Sequence, residues 1–131
     1  MLNFGMLNDN LLTGSLPDSL GNWVYINFLF FNNNHLTGSI PASFGQLTEV
    51  EQLFADHNLL SGSIPSALSA ATKLLELQLQ NNKFSGDLNG LFNSNTQQSL
   101  YFVDVSDNQL TGPLPTEAFL LPELNLSLIH I

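Results

Sequence analysis

The sequence predicts an α/β repeat solenoid, and three observations carry that prediction. A Leu/Phe-Thr/Ser-Gly motif recurs with its glycine at Gly14, Gly38, Gly62, Gly86 and Gly112, so the spacing is 24, 24, 24 and 26 residues. An asparagine precedes each glycine at a fixed offset, at Asn10, Asn34, Asn58, Asn82 and Asn108. Apolar residues alternate with other residues just before each asparagine, the period of a short strand. A repeat length of roughly 20–29 residues with this spelling marks a solenoid whose units stack on their neighbours rather than around one centre. Function is therefore to be sought on a surface rather than in a pocket.

Taken in order, the second repeat places Ile26, Leu29, Phe31 and Leu36 inward around Asn34. The third places Val50, Leu53, Ala55 and Leu60 around Asn58, and the fourth Leu74, Leu77, Leu79 and Phe84 around Asn82. The fifth places Leu100, Val103, Val105 and Leu110 around Asn108. The first is weaker, with Leu2, Gly5, Leu7 and Leu12, because Gly5 stands where an aliphatic belongs. Five parallel strands should thus line one face. The asparagines form a structural ladder, since each amide can donate to and accept from the backbone of its turn and of the next coil. After each glycine comes a small residue and then Pro17, Pro41, Pro65 or Pro115, with Asn89 in the fourth copy. Glycine permits the bend, and proline disfavours helix for the residue before it, so an extended stretch should lead into a turn or short helix.

Composition narrows the function. The 131 residues are about one domain by length, and 44% are hydrophobic. Against 11 acidic residues stand only Lys73 and Lys83, a net charge of -9. Phosphate contacts need Lys and Arg, which argues against nucleic acid and anionic membrane surfaces as partners. With no cysteine there is no disulfide framework, no thiolate nucleophile and no cysteine-held zinc. Residues 1–5 lack a basic leader pattern, and no run approaches the ~18 apolar residues of a membrane span, so the chain as given reads as soluble.

The pattern LxxLxLxxNxLxGxIPxxLGxL, met closely by the second and third repeats, resembles the plant-type leucine-rich repeats. The resemblance spans roughly Leu2 to Pro115 and departs at Asn89, at Trp23 in a leucine position, and in a two-residue expansion between Asn89 and Ser99. It implies a right-handed leucine-rich-repeat solenoid with parallel strands on the concave face and turns, extended or 3-10 segments on the convex side. It also implies the company of receptor-like kinase ectodomains, receptor-like proteins and secreted inhibitors, hence an extracellular or cell-surface location. Residues 1–123 are read as the array, a fragment of about five uncapped repeats, and 124–131 as an irregular or non-native tail. In that tail Leu124 and Ile129 fit a further strand but Ser127 falls on an inward position, and Leu126 to Ile131 look like translated adaptor sequence. Open ends expose core, so self-association through them is expected.

Residues between the inward leucines should stack in outward columns. These read Phe4, Phe28, Gln52, Glu76, Phe102, then Met6, Phe30, Phe54, Gln78, Asp104, then Asn8, Asn32, Asp56, Gln80, Ser106, and last Asp9, Asn33, His57, Asn81, Asp107. Phe4, Met6, Phe28, Phe30 and Phe54 would form an apolar patch flanked by Asp56, His57, Gln78, Gln80 and Asp104, suited to a protein or peptide ligand with some basic character. A glycan ranks below, because sugar platforms favour aromatics with a polar handle. A secreted structural or inhibitor protein, blocking an enzyme or coating a cell wall or ice, is the alternative. Catalysis is not expected: Asp56, His57 and Ser61 or Ser63 spell a triad without an oxyanion motif. His35, His57, Asp9 and Asp56 have no metal-ligand spacing, and Asp104 with Asp107 is too few for calcium. No cofactor is implied. Asn125-Leu126-Ser127 is the only N-glycosylation signal. Gln97 and Ser43 are read as exposed, with no structural task.

Overall fold

Successive side chains of a strand face opposite sides, and each repeat here uses that alternation to put one residue inside and two outside. In Phe28–Phe30 the central Leu29 is fully buried while both phenylalanines are half-exposed, and Gln52–Phe54, Glu76–Gln78 and Phe102–Asp104 repeat the pattern. The computed structural model describes residues 3–128. Within them Phe4–Met6, the four strands just named and Asn125–Ser127 form one six-stranded parallel sheet in sequence order. Leu29 pairs with Leu53, Leu53 with Leu77 and Leu77 with Val103, so the inward aliphatics form a continuous row along the coil. Each such residue buried is worth about 1.5–3 kcal/mol.

The last strand corrects two sequence readings. Asn125–Ser127 pairs with Phe102–Asp104 so that Leu126, not Ser127, meets Val103. The final step is therefore one residue shorter than the regular period: Leu126 takes the core position, Leu124 and Leu128 pack against the core, and Ser127 stands outward beside Asp104. A sixth strand, Asn125–Ser127, thus lies within the segment read as an irregular tail. Leu2 and Ile129 lie outside the described residues.

A second parallel sheet follows each asparagine. It consists of Thr13–Ser15, His35–Gly38, Leu59–Gly62, Lys83–Gly86 and Gln109–Leu110. Sequence periodicity misses it because each strand buries at most one side chain, such as Leu36 or Leu60, too few to show alternation. Gly38 and Gly62, both at φ +75°, close their strands in the left-handed region that a side chain would strain. Pro17, Pro41, Pro65 and Pro115, all extended, then lead into the 3-10 turns Asp18–Asn22, Ala42–Gln46, Ser66–Ala70 and Thr116–Leu120. The helical part of the repeat is thus 3-10 throughout, with no α-helix among the described residues.

The irregular positions compensate one another. At Gly5 an added Cβ would come within 2.8 Å of Leu29 Cδ1 and 3.3 Å of Trp23 Cζ3, so the indole occupies the room that an aliphatic would fill. In the fourth repeat Asn89 replaces proline, and the Asp87 carboxylate accepts both its backbone N–H and its amide at 3.0 Å. The expansion that follows folds over Gln97, which is 1% exposed rather than a surface residue. Its Nε2 donates to the Leu68 carbonyl at 3.3 Å and its Oε1 accepts from Asn93 N at 2.7 Å, so it ties the expansion to the 3-10 turn of the preceding repeat. Ser43 is likewise engaged, its hydroxyl donating to the Asp18 carbonyl at 2.8 Å.

The asparagines couple coil to coil. Asn58 Nδ2 donates to the carbonyls of Phe31 at 3.1 Å and Ala55 at 3.2 Å, while its Oδ1 accepts from Leu36 N at 3.0 Å. Asn82 repeats this with Ala55, Leu79 and Leu60, and Asn108 with Leu79, Val105 and Phe84. Asn34 reaches back to Leu7 and Leu12. The Asn10 side-chain amide bonds within its own turn, to the Leu7 and Asn8 carbonyls, and is exposed.

Replacing Asn58 by alanine leaves buried donors and acceptors unpaired and should cost about 1–3 kcal/mol in denaturant titration. Asn10→Ala serves as the matched control and should cost clearly less; equal losses would contradict the ladder. Acid tests a second tie, in which Ser94 N and Oγ donate to Glu117 Oε2 at 3.1 and 2.5 Å. The Ser94 hydroxyl, and then its backbone N–H, hold the Glu117 carboxyl below its ordinary value. A lowered folded-state value means the stabilisation is present above the ordinary glutamate range and lost as pH falls through the lowered one. Melting curves of parent and Ser94→Ala should therefore differ at neutral pH and converge in acid, whereas a gap independent of pH would place the effect elsewhere.

Candidate functional site

In-register parallel strands stand about 4.8 Å apart, so like side chains at equivalent positions meet face to face. The Phe4 and Phe28 rings stack with centroids 5.2 Å apart and planes 9° from parallel, and Phe30 stacks on Phe54 at 4.5 Å and 11°. Phe28 meets Phe30 edge-on at 6.4 Å, which joins the two stacks into one surface. Met6 borders it, and at its outer end Phe4 and Met6 are 54% and 60% exposed. The sequence-derived apolar residues therefore do come together on the outward side of the six-stranded sheet.

The next two coils change character. Glu76 accepts from Gln52 Nε2 at 3.1 Å and Gln78 Nε2 at 3.4 Å, and also from the Tyr101 hydroxyl. That hydrogen bond, with burial and the carboxylate charge behind it, raises the Tyr101 pKa. Gln80 in turn donates to Gln78 Oε1. Asp104 Oδ1 accepts from Ser106 N at 2.9 Å and Ser106 Oγ at 2.6 Å. All of these donors to Glu76 and Asp104 are neutral, and no Lys or Arg occupies the outward columns. Lys73 pairs instead with Glu49, at 2.6 Å.

Asp56 and His57 differ from the sequence reading. Asp56 is only 6% exposed, not an open flank of the patch. Its Oδ2 lies 2.8 Å from His57 Nδ1, while its Oδ1 and the Oε1 of neighbouring Gln80 are buried acceptors without a protein partner. His57 Nε2 faces Asn81 Nδ2 at 3.1 Å, so neither ring nitrogen is left for Ser61 or Ser63 and the spelled triad does not assemble. Among the described residues no three His, Asp or Glu side chains are grouped to hold a metal ion.

His57 also belongs to a feature missed from sequence. Asp9, Asn33, His57, Asn81 and Asp107 all adopt φ between 51° and 56°, so the fourth column is the corner that ends each strand segment rather than part of the flat face. Asn, Asp and His are the side chains that tolerate this region, and that shared identity was the available signal. Asn33 Nδ2 donates to Asp9 Oδ1 at 2.8 Å, tying corner to corner. Tyr101 was missed because it precedes its column by one residue. Gln52 and Glu76 were placed in columns but not in the site, since spacing does not show which outward side chains bond to each other.

The Leucine Rich Repeat family model matches residues 25–47. No curated protein matches the chain. Among solved structures, that of PEPR1-AtPEP1 superposes over 98% of this chain at 35% identity with a TM-score of 0.88. The leucine-rich-repeat ectodomain of the Arabidopsis thaliana membrane receptor kinase GASSHO1/SCHENGEN3, solved in complex with CASPARIAN STRIP INTEGRITY FACTOR 2, superposes over 92% at 34% identity and 0.83. A plant ice-binding protein superposes over 87% at 30% identity and 0.79. The chain spans 18%, 14% and 36% of the lengths of these three. It is a leucine-rich-repeat solenoid of the plant type, similar in sequence and backbone to the ectodomain repeats of plant receptor kinases.

Proposed function

We propose that this array is a non-catalytic recognition module that binds a protein or peptide ligand on its concave sheet, as part of an extracellular or cell-surface protein. The observation that carries the reading is the continuous surface of Phe4, Phe28, Phe30 and Phe54, stacked on the outward side of the sheet with Phe4 exposed and the other three partly so. Exposed apolar patches of this kind on monomeric proteins mark interaction sites, and aromatic side chains are frequent energetic anchors there. Similarity to an ectodomain solved with a bound factor supports the same reading.

Coating of ice is a second reading, favoured by the similarity to a plant ice-binding protein. It would need a regular array, and the hydroxyls of the second sheet do not form one. Thr37 stands beside Leu59, Ser61 beside Lys83 and Ser85 beside Gln109. Peptide recognition is therefore the reading the geometry supports best.

The test selects binders from a random displayed peptide library on the parent protein and measures the enriched peptides by calorimetry. Phe30→Ala or Phe54→Ala should each weaken binding by about 1–4 kcal/mol. Because each removes one stacked partner, stability should fall by only about 0.5–1.5 kcal/mol. Exposed Thr72→Ala should change neither. Peptides that bind all variants equally would place the site off this stack.

A further inference from the structure

We infer that the ligand of this face carries a cationic side chain a few residues from its apolar anchor, with the anchor on the Phe30–Phe54 stack and the cation over Glu76 and Asp104. The inference rests on the concave-face reading and adds the chemistry and spacing of what binds there.

The face is divided along the coil. Its first three strands present Phe4, Phe28, Phe30 and Phe54, the next presents Glu76 in the column of Phe28, and the one after presents Asp104 in the column of Phe30 and Phe54, with Phe102 beside Glu76. Those two carboxylates accept hydrogen bonds only from neutral amides and hydroxyls, which orient them without neutralising their charge. Between the halves, Asp56 is more than nine-tenths buried, with Oδ1 uncapped by any protein donor, and the buried Oε1 of partly exposed Gln80 on the next coil also has none. A floor with surplus acceptors and no Lys or Arg favours a partner rich in N–H donors. It repels a carboxylate or phosphate. An arginine or lysine suits both halves, because its stem packs on apolar surface while its head reaches the acids.

Geometry sets the spacing. With strands about 4.8 Å apart, the middle of the Phe30–Phe54 pair and the middle of the Glu76–Asp104 pair are about two strand spacings, or ~10 Å, apart. A peptide crossing the strands in extended form advances about 3.3 Å per residue. Anchor and cation are then separated by about two to four residues, with the reach of a long side chain covering the difference.

The test uses synthetic Gly/Ser peptides that carry one Phe and one Arg at graded spacing, with matched peptides in which Glu or citrulline replaces Arg. Binding is read by fluorescence polarisation on the full chain. Expected is a maximum at the predicted spacing, with the Arg peptide about fivefold tighter than its citrulline match, the upper range for a partly exposed ion pair, and the Glu peptide weakest. High salt should erase the preference. Glu76→Gln with Asp104→Asn should also erase it, and Glu76→Lys should transfer it to the Glu peptide, a gain that a misfolded variant would not show. If binding needs Phe30 but Arg, citrulline and Glu peptides bind alike, the inference fails and the concave site stands. If no peptide depends on Phe30 or Phe54, both fail together.

Discussion

The rest of this structure depends on the side-chain amide that joins each coil to the one before it. From Asn34 to Asn108 the same group donates to carbonyls of two successive repeats and accepts an N–H from the earlier one. Inside a solenoid those backbone groups have no water to turn to, so an unfilled position would leave several of them unpaired. The ladder also fixes register. Because each coil sits directly on its neighbour, Leu29, Leu53 and Leu77 meet in the core and Phe30 and Phe54 meet on the surface. The aromatic stack is thus a consequence of the polar one.

Since each repeat contacts only its neighbours, a local departure can be absorbed locally. Trp23 fills the space beside Gly5, and the fourth repeat trades a proline and its 3-10 turn for a network around Asp87, Gln97, Ser94 and Glu117. Neither disturbs the six-stranded sheet. That insulation allows Glu76 and Asp104 to enter the concave face within two strands while the inward row of Leu29, Leu53, Leu77 and Val103 stays aliphatic.

The concave half of the repeat was legible in the sequence because strand alternation and the asparagine period are both written in residue type. Leu29, Leu53 and Leu77 could be assigned inward, and the outward phenylalanines followed. The second sheet was not legible, since at most one buried residue per strand has no period. Gln97 was misread because polarity suggests exposure, whereas it is buried and bonded to the Leu68 carbonyl, a contact 29 residues away. Leu126 was misread because the last coil is one residue short. In the candidate site the columns were readable but their bonding was not: the burial of Asp56 and the convergence of Gln52, Gln78 and Tyr101 on Glu76 depend on side-chain direction, which spacing does not encode.

The central claim is that side-chain amides, acting as an internal hydrogen-bonding rail, hold the coils in register. Residue-resolved amide hydrogen exchange tests it most directly, because the Leu36, Leu60 and Phe84 N–H groups are each bonded to an asparagine Oδ1 of the following coil. The account predicts that these three exchange as slowly as the strand-to-strand amides of Phe31 and Ala55. Exchange at Leu36, Leu60 and Phe84 as fast as at exposed Thr72 would contradict it.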